Sequence, residues 1–372
     1  MKKRMMPIVQ SPGPGRSPDL TTIFTDRLPN KVCMKVIVII FLLFAYTAIP
    51  ARGQTANPEK YQYVFTVAQD GSGNFTKIQD AIRAMRGYPL APITLYIRNG
   101  VYNEKIELPA NNTDVTFIGE SVDSTIITYA DYSGKGSLTT FTSYTAKISG
   151  NRFIAENITF VNAAGPVGQA LALYVDADQA LFKNCRFIGN QDTIFNGGET
   201  ARQFFWNCYI EGTTDFIFGP ATALYSHCII KAKANSYITA ASTTKGKAFG
   251  LVFTHCRILA EPGVKKLFLG RPWRAYAKTV FIHCEMPAAI APEGWHNWSN
   301  PDNEKTVYYG EYGSQGPGSS ASKRVSWARN IGAVAATLYT PEQVFATCSP
   351  QLPAATTWYK NIQPAAFKWP VK

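Results

Sequence analysis

The chain has no run rich in lysine and arginine after its first 53 residues, no Cys-x-x-Cys pair, no Gly-x-Ser-x-Gly phrase and only four histidines. The first absence removes the footprint of a nucleic-acid binder. The second removes the usual zinc knuckle, and the third leaves no nucleophile elbow for a Ser/His/Asp hydrolase. No long helix-period segments alternate with the strand-like ones, which excludes a βαβ chain. The apolar run at residues 36–49 has 14 members, short of the roughly 20 that a helical bilayer span requires. What remains is a chain of 372 residues that is 46% hydrophobic and 17% charged, the composition of a folded globular protein with ample core.

That apolar run follows Lys31 and Lys35 and precedes Pro50-Ala-Arg-Gly-Gln54. It has the form of a secretory signal, with small residues Ala51 and Gly53 ahead of a cut before Gln54. The alternative is an uncut signal anchor. Met34 opens a more conventional signal than Met1, so residues 1–33 read as a non-native extension or a disordered leader. The expected organisation is therefore a leader over residues 1–53 and one mature domain over residues 54–372, exported and free of the membrane once cut. The leader carries eight Lys/Arg and two Asp/Glu, so formal net charge falls from +12 to +6 without it, 29 basic against 23 acidic residues. That surplus suits either ordinary solubility or an acidic polymer as partner.

Residues 61–130 begin with a turn-rich phrase, Val67-Ala-Gln-Asp-Gly-Ser-Gly-Asn-Phe-Thr76. Thr76 is the expected cap of a short helix whose apolar side is Ile78, Ala81, Ile82 and Met85. Such a helix would cover the open end of a first coil. Thr340-Pro-Glu-Gln-Val-Phe-Ala346 reads as a second short helix with proline at its first position.

Between them lies an internal repeat. Asn157-Ile, Asn184-Cys, Asn207-Cys, His227-Cys, His255-Cys and His283-Cys align in one column, whose second members are separated by 27, 23, 20, 28 and 28 residues. Self-similarity at such a period with short strands and turn residues predicts an all-β chain, a single parallel β-helix with short capping helices. Cys185, Cys208, Cys228, Cys256 and Cys284 would then face the core on rungs about 4.8 Å apart. They form a thiol ladder, or else one adjacent pair is a disulfide. The three histidines of the column should point the opposite way and stack outside, so no metal site is expected.

Asp192 lies in Gly189-Asn-Gln-Asp-Thr193 and Asp215 in Thr214-Asp-Phe-Ile-Phe-Gly219, 23 residues apart, and Gln169 lies another 23 residues back. Equal spacing predicts one polar column of Gln169, Asp192 and Asp215, with Gln191 beside it. The column is either a solvated edge or a site for acid/base and nucleophilic work by paired carboxylates. Leu269-Gly-Arg-Pro-Trp273, two coils on, adds a fixed cation and a large aromatic plane, the pair that holds a carboxylate-bearing sugar chain.

Six phrases in order, Val67-Ala-Gln-Asp-Gly-Ser-Gly-Asn-Phe75, Gly165-Pro-Val-Gly-Gln-Ala170, Gly189-Asn-Gln-Asp-Thr193, Asp215-Phe-Ile-Phe-Gly219, Leu269-Gly-Arg-Pro-Trp273 and Gly294-Trp-His-Asn-Trp298, resemble the pectin methylesterase family over residues 64–350. The resemblance implies a right-handed parallel β-helix acting on methyl-esterified homogalacturonan without a cofactor, as a secreted monomer. It implies Asp215 as nucleophile, Asp192 as general acid and then base, and Gln169 and Gln191 as oxyanion donors. Arg271 would orient the nucleophile, Trp273 would be a sugar platform, and Thr140 would contact substrate. The chain departs from plant members at Asn190, where they have tyrosine, and in Asn196-Gly-Gly-Glu-Thr200, which is about two residues longer. A pectate lyase would want a calcium-binding carboxylate cluster and a polygalacturonase a second aspartate beside its catalytic one, and neither is evident. A silent pectin-binding solenoid would be expected to have lost Asp192, Asp215 or Arg271.

Overall fold

The computed structural model describes residues 60–346 and 358–360, so the leader expected over residues 1–53 lies outside the described residues. Short strands of alternating burial, such as Ile93–Ile97 with its three inward side chains, assemble into three sheets whose pairings are all parallel. The long sheet has eleven strands, from Val64–Val67 to Arg329–Asn330, and the other two have seven each. Successive strands visit the three sheets in turn. One coil runs Ala180–Lys183, Arg186–Ile188, Ile194–Asn196, and the next Arg202–Trp206, Tyr209–Gly212, Ile217–Gly219. The fold is a parallel β-helix. The third sheet, from Ile106–Leu108 to Phe268–Gly270, carries the candidate site.

The core is built in ladders. Phe182, Phe205, Tyr225, Phe253 and Phe281 stack face to face down the long sheet, with centroids 4.8, 4.4, 4.8 and 4.5 Å apart. The five ladder cysteines are buried and unpaired, which settles the choice left open by the sequence in favour of free thiols. Each donates to the carbonyl two residues back, and also to one on the preceding coil, as Cys208 Sγ does to Trp206 O and Phe182 O at 3.4 Å each.

The residue before each member of the column, Asn157, Asn184, Asn207, His227, His255 and His283, has φ between 52° and 58°. It forms the left-handed corner between two sheets, a conformation that Asn and His tolerate better than most residues. The histidines do stack outside, His227 on His255 at 5.2 Å and His255 on His283 at 5.4 Å. The corner geometry turns them outward, rather than the alternation of a single strand.

The first helix, Ile78–Ala84, buries the expected side, Ile78, Ala81 and Ile82. Its cap differs from the expectation, because Lys77 occupies the N-cap and makes no side-chain cap bond. The Glu104 carboxylate, from the adjoining coil, accepts instead from Ile78 N and Gln79 N at 3.0 Å each, a favourable charge for a helix N-terminus. The other expected helix, Pro341–Ala346, does begin with proline, and Gln343 N donates to Thr340 Oγ1 at 3.4 Å across its start.

Candidate active site

Asp192 and Asp215 sit two residues ahead of the third-sheet strands Ile194–Asn196 and Ile217–Gly219, at the turns that feed those strands. Both backbones are left-handed, with φ of 63° and 50°. Asp192 N donates to Thr214 O at 3.0 Å and Asp215 N to Tyr237 O at 2.8 Å, so each aspartate is sewn to the next rung. Because Ile194 pairs with Ile217 and Phe195 with Phe218, the two carboxylates stand on neighbouring rungs in register.

Gln169 does not join their column, as equal spacing had suggested. It pairs with Gln191, because the preceding coil is shorter, pairing Leu173 with Ile194. The result is an amide pair, Gln169 over Gln191, beside a carboxylate pair, Asp192 over Asp215. Neither amide side chain is hydrogen-bonded to another described residue, which leaves both able to donate to a bound group.

Arg271, in the turn after Phe268–Gly270, forks onto Asp215. Its Nη2 donates to Oδ2 at 2.6 Å, and its Nε to Oδ1 at 3.0 Å and Oδ2 at 3.3 Å. Its guanidinium lies between two rings, 4.0 Å from the centroid of Tyr237 and 3.7 Å from that of Trp298. A planar cation clamped on both faces has little freedom to leave the carboxylate.

The two aspartates are only 8% and 5% exposed and differ in their partners. Burial raises the Asp192 carboxyl to about 8, helped by the charge of Asp215 and opposed by Arg271. Burial also raises Asp215 from its ordinary value, and there the Arg271 hydrogen bonds and charge oppose it. Arg271 therefore does not bring Asp215 down to an ordinary value, but it sets the order: Asp215 loses its proton first.

All seven predicted residues, Thr140, Gln169, Gln191, Asp192, Asp215, Arg271 and Trp273, line one cleft of about 230 Å³. Phe141, Phe218, Ala240 and Trp298 complete it. Phe195 and Phe218 occupy the outward position of successive third-sheet strands, 5.0 Å apart, with Phe141 4.9 Å from Phe195 and Trp273 5.7 Å from Phe218. This aromatic floor was not singled out from the sequence. Its signal is there, since Tyr174, Phe195 and Phe218 recur at register-matched positions where a β-helix side chain should face solvent and polar residues are the rule.

A family model described as pectinesterase matches residues 64–347. Pectinesterase 31 of Arabidopsis thaliana is 38% identical over 276 residues, 71% of this chain and 86% of its own length. Probable pectinesterase/pectinesterase inhibitor 23 of the same plant is 38% identical over 290 residues, 74% of this chain and 50% of its own length. The chain thus spans about half the length of several curated relatives that it matches. Among solved structures, a pectin methylesterase from carrot superposes with a TM-score of 0.72 at 34% identity, covering 76% of this chain and 93% of that one. A pectin methylesterase solved in complex with a hexasaccharide superposes at 0.66 and 30% identity, covering 79% and 99%. With register-matched carboxylates, a clamped arginine and a sugar-sized aromatic cleft on the same scaffold, the chain belongs to the pectinesterase family.

Proposed function

We propose that this chain hydrolyses the C6 methyl esters of homogalacturonan to pectate and methanol through an aspartyl acyl-enzyme. The observation that carries the reading is the asymmetry of the carboxylate pair: two buried aspartates on adjacent rungs, only one of them forked by a guanidinium. Like charges in one dry site cannot both form easily, so one stays protonated as an acid while the other is free to attack.

Asp215 adds an oxygen to the ester carbonyl carbon, and the carbonyl π electrons move onto its oxygen. The Gln169 and Gln191 amides donate to that oxyanion, a type of contact whose loss typically costs about 10²–10³ in rate. Asp192 gives its proton to the methoxy oxygen as the C–O bond breaks, and methanol leaves an anhydride at Asp215. Asp192, now a carboxylate, takes a proton from water, and the resulting hydroxide attacks the acyl carbon. Asp215 departs as a carboxylate held by Arg271, Asp192 has its proton back, and the uronic acid is released and gives its proton to solvent. Trp273 and Thr140, which line the same cleft, would contact the sugars flanking the ester. A protein acting on this wall polymer fits export behind a cleaved leader over residues 1–53 and work as a monomer. Among the described residues no helix is long and apolar enough to cross a membrane.

The test is to incubate the protein with methyl-esterified pectin and assay methanol, new reducing ends and unsaturated product together. Methanol alone is expected, and Asp215→Asn should lower its release at least about 10³-fold with the circular dichroism unchanged. Chain cleavage, or appreciable turnover by Asp215→Asn, overturns the reading.

A further inference from the structure

One histidine lies outside the stacked column. His296 belongs to the segment Gly294-Trp-His-Asn-Trp298, which runs alongside Phe268–Gly270. Leu269 N donates to Gly294 O at 2.7 Å and His296 N to Gly270 O at 3.1 Å, and Gly270 pairs with Trp295. The imidazole does not line the cleft. It packs behind the arginine clamp, its ring 5.4 Å from that of Tyr237 and 5.8 Å from that of Phe268, and Tyr237 is the residue that covers one face of Arg271.

Trp298 covers the other face of Arg271, and it does so from an unfavourable backbone. Trp298 and Ser299 are both left-handed, with φ of 62° and 56°, a conformation that a bulky residue resists. His296 holds the turn in place, its Nδ1 accepting from Trp298 N at 3.0 Å. The far side is anchored by Asn297, whose Nδ2 donates to Glu304 Oε1 at 2.7 Å and whose carbonyl accepts from Asn303 Nδ2 at 3.0 Å. A ring nitrogen that accepts carries a lone pair, so the imidazole is neutral with its proton on Nε2. The surroundings favour that form: burial lowers His296 from the ordinary histidine value, and the cations Arg271 and Lys266 lower it further. Tyr237 faces it with its ring, and Glu304 is engaged by Asn297.

We propose that His296 is a positioning residue for the esterase: as a neutral acceptor it fixes the Trp298 turn, Trp298 holds Arg271, and Arg271 holds the nucleophile Asp215. The inference rests on the esterase reading, since it acts through the residue assigned to attack the ester. Protonation of Nδ1 sets a donor against the Trp298 N–H and adds a third positive charge beside Arg271 and Lys266. The turn then relaxes from its left-handed backbone, one face of the guanidinium is uncovered, and the fork on Asp215 loosens. The site is thereby sensitive to acid through a side chain that touches no reacting atom. A neighbouring turn shows how the bond can be kept without the titration. There Asn300 Oδ1 accepts from Asp302 N, two residues on, at 3.1 Å, and asparagine at position 296 can accept from Trp298 N in the same way.

The experiment measures methanol release from methyl-esterified pectin by wild type, His296→Ala and His296→Asn between pH 5 and pH 8. At pH 7.5, His296→Ala should lower kcat about tenfold, the scale of a nucleophile displaced by a fraction of an ångström, and His296→Asn should recover most of that loss. As pH falls from 7 to 5, the ratio of kcat in His296→Asn to kcat in wild type should rise about fivefold, because the ionisation of Asp215 is common to both and cancels. In parallel, the chain is labelled with 5-fluorotryptophan, and the fluorine resonance of Trp298, assigned by its loss in Trp298→Phe, is followed against pH. It should shift over the same range in wild type and lose that step in His296→Asn. Unchanged kcat in His296→Ala, no recovery in His296→Asn, or a flat ratio overturns the proposal. If His296→Ala does not fold, the ratio and the fluorine titration decide. If wild type releases no methanol, the esterase reading fails instead, and the fluorine titration still decides whether His296 holds Trp298.

Discussion

The chemistry rests on two identical side chains made unlike by their neighbours. Asp192 faces burial and the charge of Asp215, whereas Asp215 faces burial and a bidentate guanidinium. In the free enzyme kcat/KM should therefore be bell-shaped in pH. It should rise as Asp215 ionises, at a pH above that of an ordinary aspartate, and fall as Asp192 loses its proton near pH 8. Methanol release measured across pH 4–10 checks this, and a rate that stays flat through pH 8–9 counts against Asp192 as the acid. The same displacement carries a stability cost of definite sign. A carboxyl whose folded value is raised to about 8 favours the folded state only while protonated, and that contribution disappears as pH rises from about 4 through 8. Asp192→Asn, which keeps a residue tolerant of the left-handed backbone, should leave stability nearly unchanged at pH 4. At pH 8.5 it should raise it by roughly 5 kcal/mol, read from urea unfolding at both pH values.

At the scale of strands and turns, the site is held by what lies just beneath it. The Asp215-Phe-Ile-Phe-Gly219 phrase ends on Gly219, whose φ of 130° suits glycine and where an added Cβ would stand 2.2 Å from Asn196 O on the neighbouring rung. Asn196 is itself buried, with its Nδ2 donating to Gln203 Oε1 at 2.8 Å and its Oδ1 accepting from Tyr225 OH at 2.9 Å. Gly219→Ala should thus cost roughly 2–4 kcal/mol through backbone strain and a disturbed buried network. It should also lower kcat, since the strand that follows Asp215 must shift; thermal melting and methanol release together check it. Element by element, the sequence was legible where one residue type repeats at the coil period, as with the cysteine column, because burial forces the same small apolar choice at each turn. It misled where coil lengths differ, placing Gln169 in the aspartate column although strand pairing sets it over Gln191. It was silent on Glu104 as the cap of Ile78–Ala84, a contact that only the adjoining coil provides. The aromatic floor was overlooked because a lone phenylalanine in a strand looks like core until register shows which face it takes.

The whole molecule is a stack in which each coil touches mainly its two neighbours, and its stability should be nearly one-dimensional as a result. Phe117 and Tyr225 are both fully buried on the long sheet but serve different coils. The strand of Phe117, Val115–Gly119, pairs with Ile93–Ile97 and Ile154–Glu156, ahead of the coils that carry Asp192, Asp215 and Arg271. The strand of Tyr225, Thr222–Ser226, pairs with Arg202–Trp206 and Leu251–Thr254, which open the coils that present Asp215 and Arg271. Truncating either ring removes about 3–5 kcal/mol of packing. If coupling is confined to neighbours, Phe117→Ala should open the N-terminal coils at a lower temperature while activity survives nearly as long as in wild type. Tyr225→Ala, which breaks the stack at Phe205 and Phe253 and releases Asn196, should bring loss of activity and loss of structure down together. Residual methanol release after timed heating, followed alongside far-ultraviolet circular dichroism, separates the two. Identical falls in both midpoints for both variants would show that the helix melts as one unit, and that the cleft depends on its first coils as much as on its own.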